Sequence, residues 1–320
     1  MISSGLGNGS EREGYNWSEG YELSLQPWEE EFGQRLNKLF WEFFDKSEDP
    51  EGWNRRWIIQ RDIDWRAVAA QPLDDNLTML IESFFAVESY LPDFASQGLG
   101  FYRRLLGLSN NHINWSYEEL KHGRVLELVL ERSGARSEKQ VMDFRNELWR
   151  KVWTAPFNTA RQMLCYAVIQ EKATNRNYEQ LKDLALKQGA EGAAVGIRYL
   201  ARDEAFHHAF FRDATKLYLE YDEVGTAQDI LHVAENFRMP AQHLLPNPSE
   251  RIRNLARNRI VSRRQIREEA IIPSVKALGF RDFEELVSVA GVKAADGDEA
   301  VELPELDLSK STANGHSSTP

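Results

Sequence analysis

The stretch WSYEELKHG, residues 115–123, decides the fold, because its Glu119-x-x-His122 spacing has two readings. At i, i+3 on a helix the two side chains share one face about a turn apart. On a solvated face such a pair is ordinary; on a packed face it is half of a metal site. Trp115, Val125, Leu126 and Val129 fall on the same face, which therefore points inward. A carboxylate pushed into apolar packing is costly unless it is paired or coordinates a metal. Glu118, adjacent in sequence, lies off the His122 face and is expected to be dispensable.

RDEAFHH, residues 202–208, repeats the spacing: Glu204 and His207 share their face with Ile197, Leu200, Ala201, Phe210, Phe211 and Ala214. Asp229-x-x-His232 matches by type, but its helix is more polar and the pair reads as surface or local structure. Two lone glutamates sit on apolar stripes: Glu88 with Ile81, Phe84, Phe85 and Leu91, and Glu171 with Leu164, Ala167 and Val168. One Glu from each of two helices and Glu-x-x-His from each of two others is the ligand set of ferritin-like di-iron and di-manganese proteins. Carboxylate and imidazole suit hard iron, and four carboxylates balance two ferrous ions in a low-dielectric interior. A network of buried Glu and His paired with Arg is the competing account of the same residues.

The rest of the chain supports an all-α bundle with a four-helix core. Segments beginning DNLTMLIESFF, NNHINWSYEEL, NTARQMLCYAV and EGAAVGIRYLA carry apolar residues at i, i+3, i+4 and i+7, and no strand series is visible. Further helices are expected near 24–44, 137–152, 222–238 and 249–290, with Ser109 or Asn110 as an N-cap and Pro92 as a kink. Gly107, Gly134, Gly189 and Gly225 mark helix ends. Residues 1–20 and 292–320 read as flexible tails, polar or acidic, flanking one domain over 21–291.

A single cysteine, Cys165, excludes an internal disulfide framework and any Cys-rich metal site. No apolar run approaches the roughly 20 residues of a membrane span, and the N-terminus has no signal or transit pattern, so no integral membrane association and a cytoplasmic location are expected. The formal charge of -11 argues against nucleic acid as a partner, since such binding draws on Lys and Arg contacts to phosphate.

Around the candidate ligands the sequence resembles the soluble acyl-acyl carrier protein desaturases over about residues 70–245. EELKHG with its Trp115, VESYLP with Pro92 four residues after Glu88, QEKAT at 170–174, RDEAFH and RMPAQHL are similar to that family's segments, in the same order. The resemblance implies two iron ions held by Glu88, Glu119, His122, Glu171, Glu204 and His207, with Glu119 and Glu204 as bridges. It also implies that Asp203 orients a ligand histidine and that Thr174 handles protons; for Thr174 a back-bond to a helix carbonyl is the alternative. The implied reaction is oxidation of two adjacent methylenes of a carrier-bound acyl chain by dioxygen to a cis double bond. Acyl carrier protein, a ferredoxin-type electron donor and a homodimer are the implied partners. Phe84, Phe85, Leu91, Met163 and Ala167 are candidate channel walls, but ordinary core is the first reading of each and none is counted as a site residue.

Both implied macromolecular partners are usually acidic, so an acidic enzyme needs a local basic surface to attract them. Arg251, Arg253, Arg257, Arg259, Arg263, Arg264 and Arg267 stand against Glu250, Glu268 and Glu269 and supply one; a solvated helix with internal pairs is the other reading. The segment after RMPAQHL departs from the family pattern, which leaves acyl-CoA open as the carrier. A di-iron hydroxylase or N-oxygenase, or a non-catalytic ferritin-type iron protein, would use the same ligands.

Overall fold

A computed structural model of the chain describes residues 25–52 and 55–291. The tails expected at 1–20 and 292–320 lie outside the described residues. In chain order the helices are α1 (Pro27–Glu48), α2 (Ile59–Asp62), α3 (Trp65–Ala70), α4 (Asp75–Glu88), α5 (Leu91–Tyr102), α6 (Leu106–Arg132) and α7 (Glu138–Leu148). They continue with α8 (Ala160–Lys187), α9 (Glu191–Tyr221), α10 (Glu223–Asn236), α11 (Pro248–Arg257), α12 (Arg263–Gln265), α13 (Ile272–Leu278) and α14 (Phe283–Val289). No strand occurs among the described residues.

Four helices form the centre. α8 and α9 make the largest interface, α6 packs on α4 and α9, and α4 reaches α8. α8 stops where Gly189 takes φ 74°, a conformation glycine adopts without a Cβ clash, and α9 starts two residues later. Asp74 caps α4 by accepting the Leu77 N–H at 2.7 Å, and Thr159 caps α8 by accepting that of Gln162 at 3.1 Å. α1 lies against α6, where a Cβ on Gly107 would stand 2.4 Å from the Leu36 carbonyl carbon; only glycine allows this approach.

The apolar core is in two large halves, with a smaller third group around Tyr90, Leu148, Trp153 and Leu245. Along α6, Leu108 and Trp115 belong to one and Val125, Leu126 and Val129 to the other; along α9, Ile197 and Leu200 belong to the second and Phe210 and Phe211 to the first. α8 crosses from Leu164 and Val168 in the first to Tyr178 and Leu181 in the second. Glu119 and His122, Glu204 and His207, and Glu171 all fall in the gap between the halves, on three different helices.

Three local expectations are corrected. Pro92 does not kink a helix but separates two: α4 ends at Glu88, and Pro92 sits in the first turn of α5, where its missing N–H has no intrahelical partner to lose. α6 begins at Leu106 with Leu105 at its N-cap, a turn before Ser109, so neither Ser109 nor Asn110 caps it; Gly107 falls in the first turn, near a helix end as read. The helix expected over 249–290 is broken into three pieces by an irregular link at 258–262 and by Gly279 at φ 114°; α12 and α13 run on as one helix through a π-helical segment, Ile266–Ile271.

Candidate metal centre

All six predicted ligands converge. Glu88, Glu119, His122 and Glu204 form one group and Glu119, Glu171, Glu204 and His207 a second, in each of which one ligand atom per residue lies within 4.8 Å of the others. Glu119 of α6 and Glu204 of α9 belong to both. All six offer buried ligand atoms, with His122 fully enclosed; Glu88, at the end of α4, keeps part of its residue surface exposed while its carboxyl points inward.

The imidazoles are turned with Nδ1 inward. His122 Nδ1 lies 3.0 Å from Glu119 Oε2 and 3.4 Å from Glu204 Oε1. His207 Nδ1 lies 3.2 Å from Glu119 Oε1, 3.4 Å from Glu171 Oε2 and 3.5 Å from Glu204 Oε2, yet it makes no hydrogen bond to any of them. Glu171 Oε2 and Glu204 Oε2 are likewise buried without a partner. Buried polar atoms are ordinarily satisfied, and three orphans aimed at one point are what a cation would complete.

The outer nitrogens are held by acids. His122 Nε2 is 3.4 Å from Asp203 Oδ2, and Asp203 also accepts the Trp57 indole N–H at 2.7 Å. His207 Nε2 is 2.9 Å from Glu118 Oε2, whose other oxygen accepts Arg56 Nη1 at 2.7 Å. Glu118 lies off the His122 face, as read, but it is buried and reaches the histidine of the opposite helix, which gives it a contact the sequence did not suggest. Trp115 Nε1 donates to Glu171 at 3.1 Å, and the Tyr178 hydroxyl donates to Glu88 at 2.5 Å.

The electrostatics follow from burial. Burial, with Glu119 beside it, pushes the Glu88 carboxyl up to about 8, and burial with the Glu119 and Glu171 charges raises Glu204. Burial opposes the charge of Glu119, but His122 and His207 outweigh it and hold Glu119 far below the carboxylate range. Burial likewise opposes protonation of the imidazoles, yet Glu119 and Asp203 raise His122, and Glu118, Glu119, Glu171 and Glu204 raise His207. Burial favours protons on Glu88 and Glu204, so a cation binding there would compete with them.

Other predicted residues take plainer places. Thr174 is half-buried, and its hydroxyl donates to the Gln170 carbonyl at 3.0 Å, the back-bond alternative. Asp229 accepts from Gln162 at 2.9 Å and pairs with Arg161, away from the cluster, as read. Trp57, Arg56 and Tyr178 were not legible as site residues. Tyr178 alone left a signal, one heptad after Glu171 on the same face of α8.

A cleft enclosing about 630 Å³, open solvent included, reaches Glu88, Glu119, Glu204 and Thr174 between Phe84, Val87, Phe94, Met239 and Leu255. A second, lined by Glu171, Tyr102, His112, Met163, Ala167 and Phe211, shares Phe94, Trp115 and Gln170 with the first. Of the candidate walls, Phe84, Met163 and Ala167 line the clefts, while Phe85 and Leu91 pack in the core.

Residues 54–265 match the sequence model of the fatty acid desaturase family. Among solved structures, the X-ray structure of DesA2 from Mycobacterium tuberculosis H37Rv, an acyl-ACP desaturase by assignment, is similar at a TM-score of 0.60 and 16% identity. The match covers 81% of this chain and 99% of that one. At that identity the likeness establishes the all-α ferritin-like fold. No curated protein matches the sequence significantly.

Proposed function

The chain belongs to the fatty acid desaturase family, whose model it matches over residues 54–265, and from that premise we propose a di-iron, O2-dependent desaturase. It introduces a cis double bond into a fatty acyl chain carried by acyl carrier protein, with electrons from a ferredoxin-type donor. The observation that carries this reading is the pair of ligand groups sharing Glu119 and Glu204, with His207 Nδ1 orphaned among three carboxylates.

The donor set fits iron: four carboxylates and two imidazoles, with Cys165 buried among apolar neighbours elsewhere. Glu88, Glu119, His122 and Glu204 would hold one ion and Glu119, Glu171, Glu204 and His207 the other. Bound there, the ions supply dioxygen activation and the oxidising power that removes two hydrogens from adjacent methylenes.

The chain's own residues do the rest. Asp203 and Glu118 accept N–H from His122 and His207, fixing the tautomers that turn Nδ1 inward. Phe84, Val87, Phe94 and Met239 hold an extended acyl chain beside Glu88 and Glu204 and exclude water. Thr174 Oγ1 stands in the same cleft, where its hydroxyl can exchange its back-bond for a proton passed to or from the site.

Leu106, Ile113, Tyr117 and Leu120 form an exposed apolar stripe at heptad spacing on α6, 56% to 62% exposed, which supports a homodimer. No helix among the described residues is long and apolar enough to cross a membrane, which fits action on a carrier in the cytoplasm.

The test is turnover. Iron-loaded protein with reductase, ferredoxin, dioxygen and stearoyl carrier protein is expected to give a monoene by mass spectrometry. A hydroxy acid would move the reading to a hydroxylase, and iron uptake without product, in a shell rather than a dimer by light scattering, to an iron-storage protein.

A further inference from the structure

One wall of the cleft is the stretch after α10: Met239, Pro240, Leu255 and Val261 turn into it. Arginines flank each apolar member: Arg238 precedes Met239, Arg253 and Arg257 bracket Leu255, and Arg259 and Arg263 bracket Val261. All five are exposed, and none forms an ion pair among the described residues. Residues 238–265 hold seven arginines against one carboxylate, Glu250, in a chain of net charge -11.

The set differs from the one the sequence suggested. Arg251 is a strut: it bonds Glu82 at 3.2 Å and the Met79 carbonyl at 3.1 Å. Arg264 pairs with Glu268 at 2.9 Å, and Arg267 lies over the Phe283 ring at 5.7 Å. Arg238 joins from beyond the arginine-rich segment. Among the described residues, all the non-glycine positions with positive φ, Ala241 at 55°, Asn247 at 50° and Arg259 at 58°, fall in this same stretch. Its path is thus fixed against local preference.

We propose that Arg238, Arg253, Arg257, Arg259 and Arg263 form the docking surface for an acidic carrier protein and seat the phosphodiester at the root of its acyl arm beside the cleft. The choice of carrier rests on the desaturase reading above. Guanidinium is always charged and binds carboxylate and phosphate through paired N–H donors. Among the described residues these five have no counter-charge of their own, and an acidic partner would supply it. The wall they stand on is the one that lines the route to the ligand cluster, so docking and chain entry share one element.

The test uses full-length, iron-loaded protein and stearoyl acyl carrier protein as the probe, with binding measured against salt. Wild-type affinity is expected to fall as salt rises, and Arg253→Glu with Arg257→Glu to lower it at least about tenfold at low salt. Arg259→Gln with Arg263→Gln, a milder pair should the reversals impair folding, is expected to weaken binding in the same direction. Arg66→Glu, on α3, is the control and leaves affinity unchanged. Equal affinity in both paired variants and wild type, or turnover of stearoyl-CoA with no carrier-protein binding, overturns the proposal. Iron content separates the two failures: a chain with two irons that ignores the carrier protein loses only this surface, whereas a folded chain without iron loses the desaturase reading.

Discussion

Glu118 Oε2 stands 2.9 Å from His207 Nε2, across the bundle from its own helix. Asp203 makes the reciprocal contact with His122 at 3.4 Å. In each motif the acid immediately before the shared glutamate thus reaches the histidine of the other motif. α6 and α9 are cross-tied, with inward nitrogens for a metal and outward ones for an acid. Arg56 pairs with the other oxygen of Glu118 at 2.7 Å, and Trp57 donates to Asp203.

Glu118→Gln should fold normally and still bind two irons, but with affinity lowered about 10- to 100-fold, because it loosens the orientation of His207. Competition with a chelator measures this. Wild-type affinity in the variant would return Glu118 to the role of a dispensable neighbour.

Thr174→Val keeps shape and helix packing while removing the hydroxyl. If Thr174 serves the reaction, iron content and melting temperature stay unchanged while product formed per dioxygen consumed falls. If the back-bond to Gln170 is its whole role, the ratio of product to dioxygen is that of the wild type.

His112 gives a pH signature distinct from the ligand cluster. Burial holds its imidazole down at about 4, and its Nε2 is 3.1 Å from the Ala95 carbonyl. Because the folded state prefers neutral imidazole, the unfolded chain takes up the proton first. The associated stability is complete above about pH 6.5 and is lost as pH falls toward 4, about 2 kcal/mol between pH 6.5 and 5. Urea unfolding at pH 7 and pH 5 should show this loss shrinking in His112→Phe; an identical pH dependence in the two proteins would contradict it.

Gly107→Ala should cost about 1–3 kcal/mol, because the new methyl meets α1 backbone that cannot rotate away. Denaturant midpoints check this, and a neutral result would mean α1 is free to shift from α6.

The six clustered residues were legible because their signal is local: i, i+3 pairs and lone glutamates on apolar stripes put charge where packing demands otherwise. Helix-end details were less so. Pro92 reads the same whether it bends a helix or begins one, and the start of α6 depends on Gly107 meeting α1, a contact distant in sequence. Arg56 and Trp57 precede the bundle in an irregular stretch with no periodicity to read, and only the fold brings them to Glu118 and Asp203. Arg251 looks like its exposed neighbours in sequence, yet Glu82, which it meets across α4 and α11, makes it structural.

Iron stoichiometry tests the central claim most directly. Anaerobic loading with ferrous iron should give about two irons per chain in the wild type, since two ligand groups are present. Glu204→Ala, which removes a member of both groups, should lose both; Glu88→Ala, which belongs to one, should retain about one. A folded wild-type chain that binds fewer than two irons, or equal losses from the two substitutions, would contradict the shared-carboxylate centre.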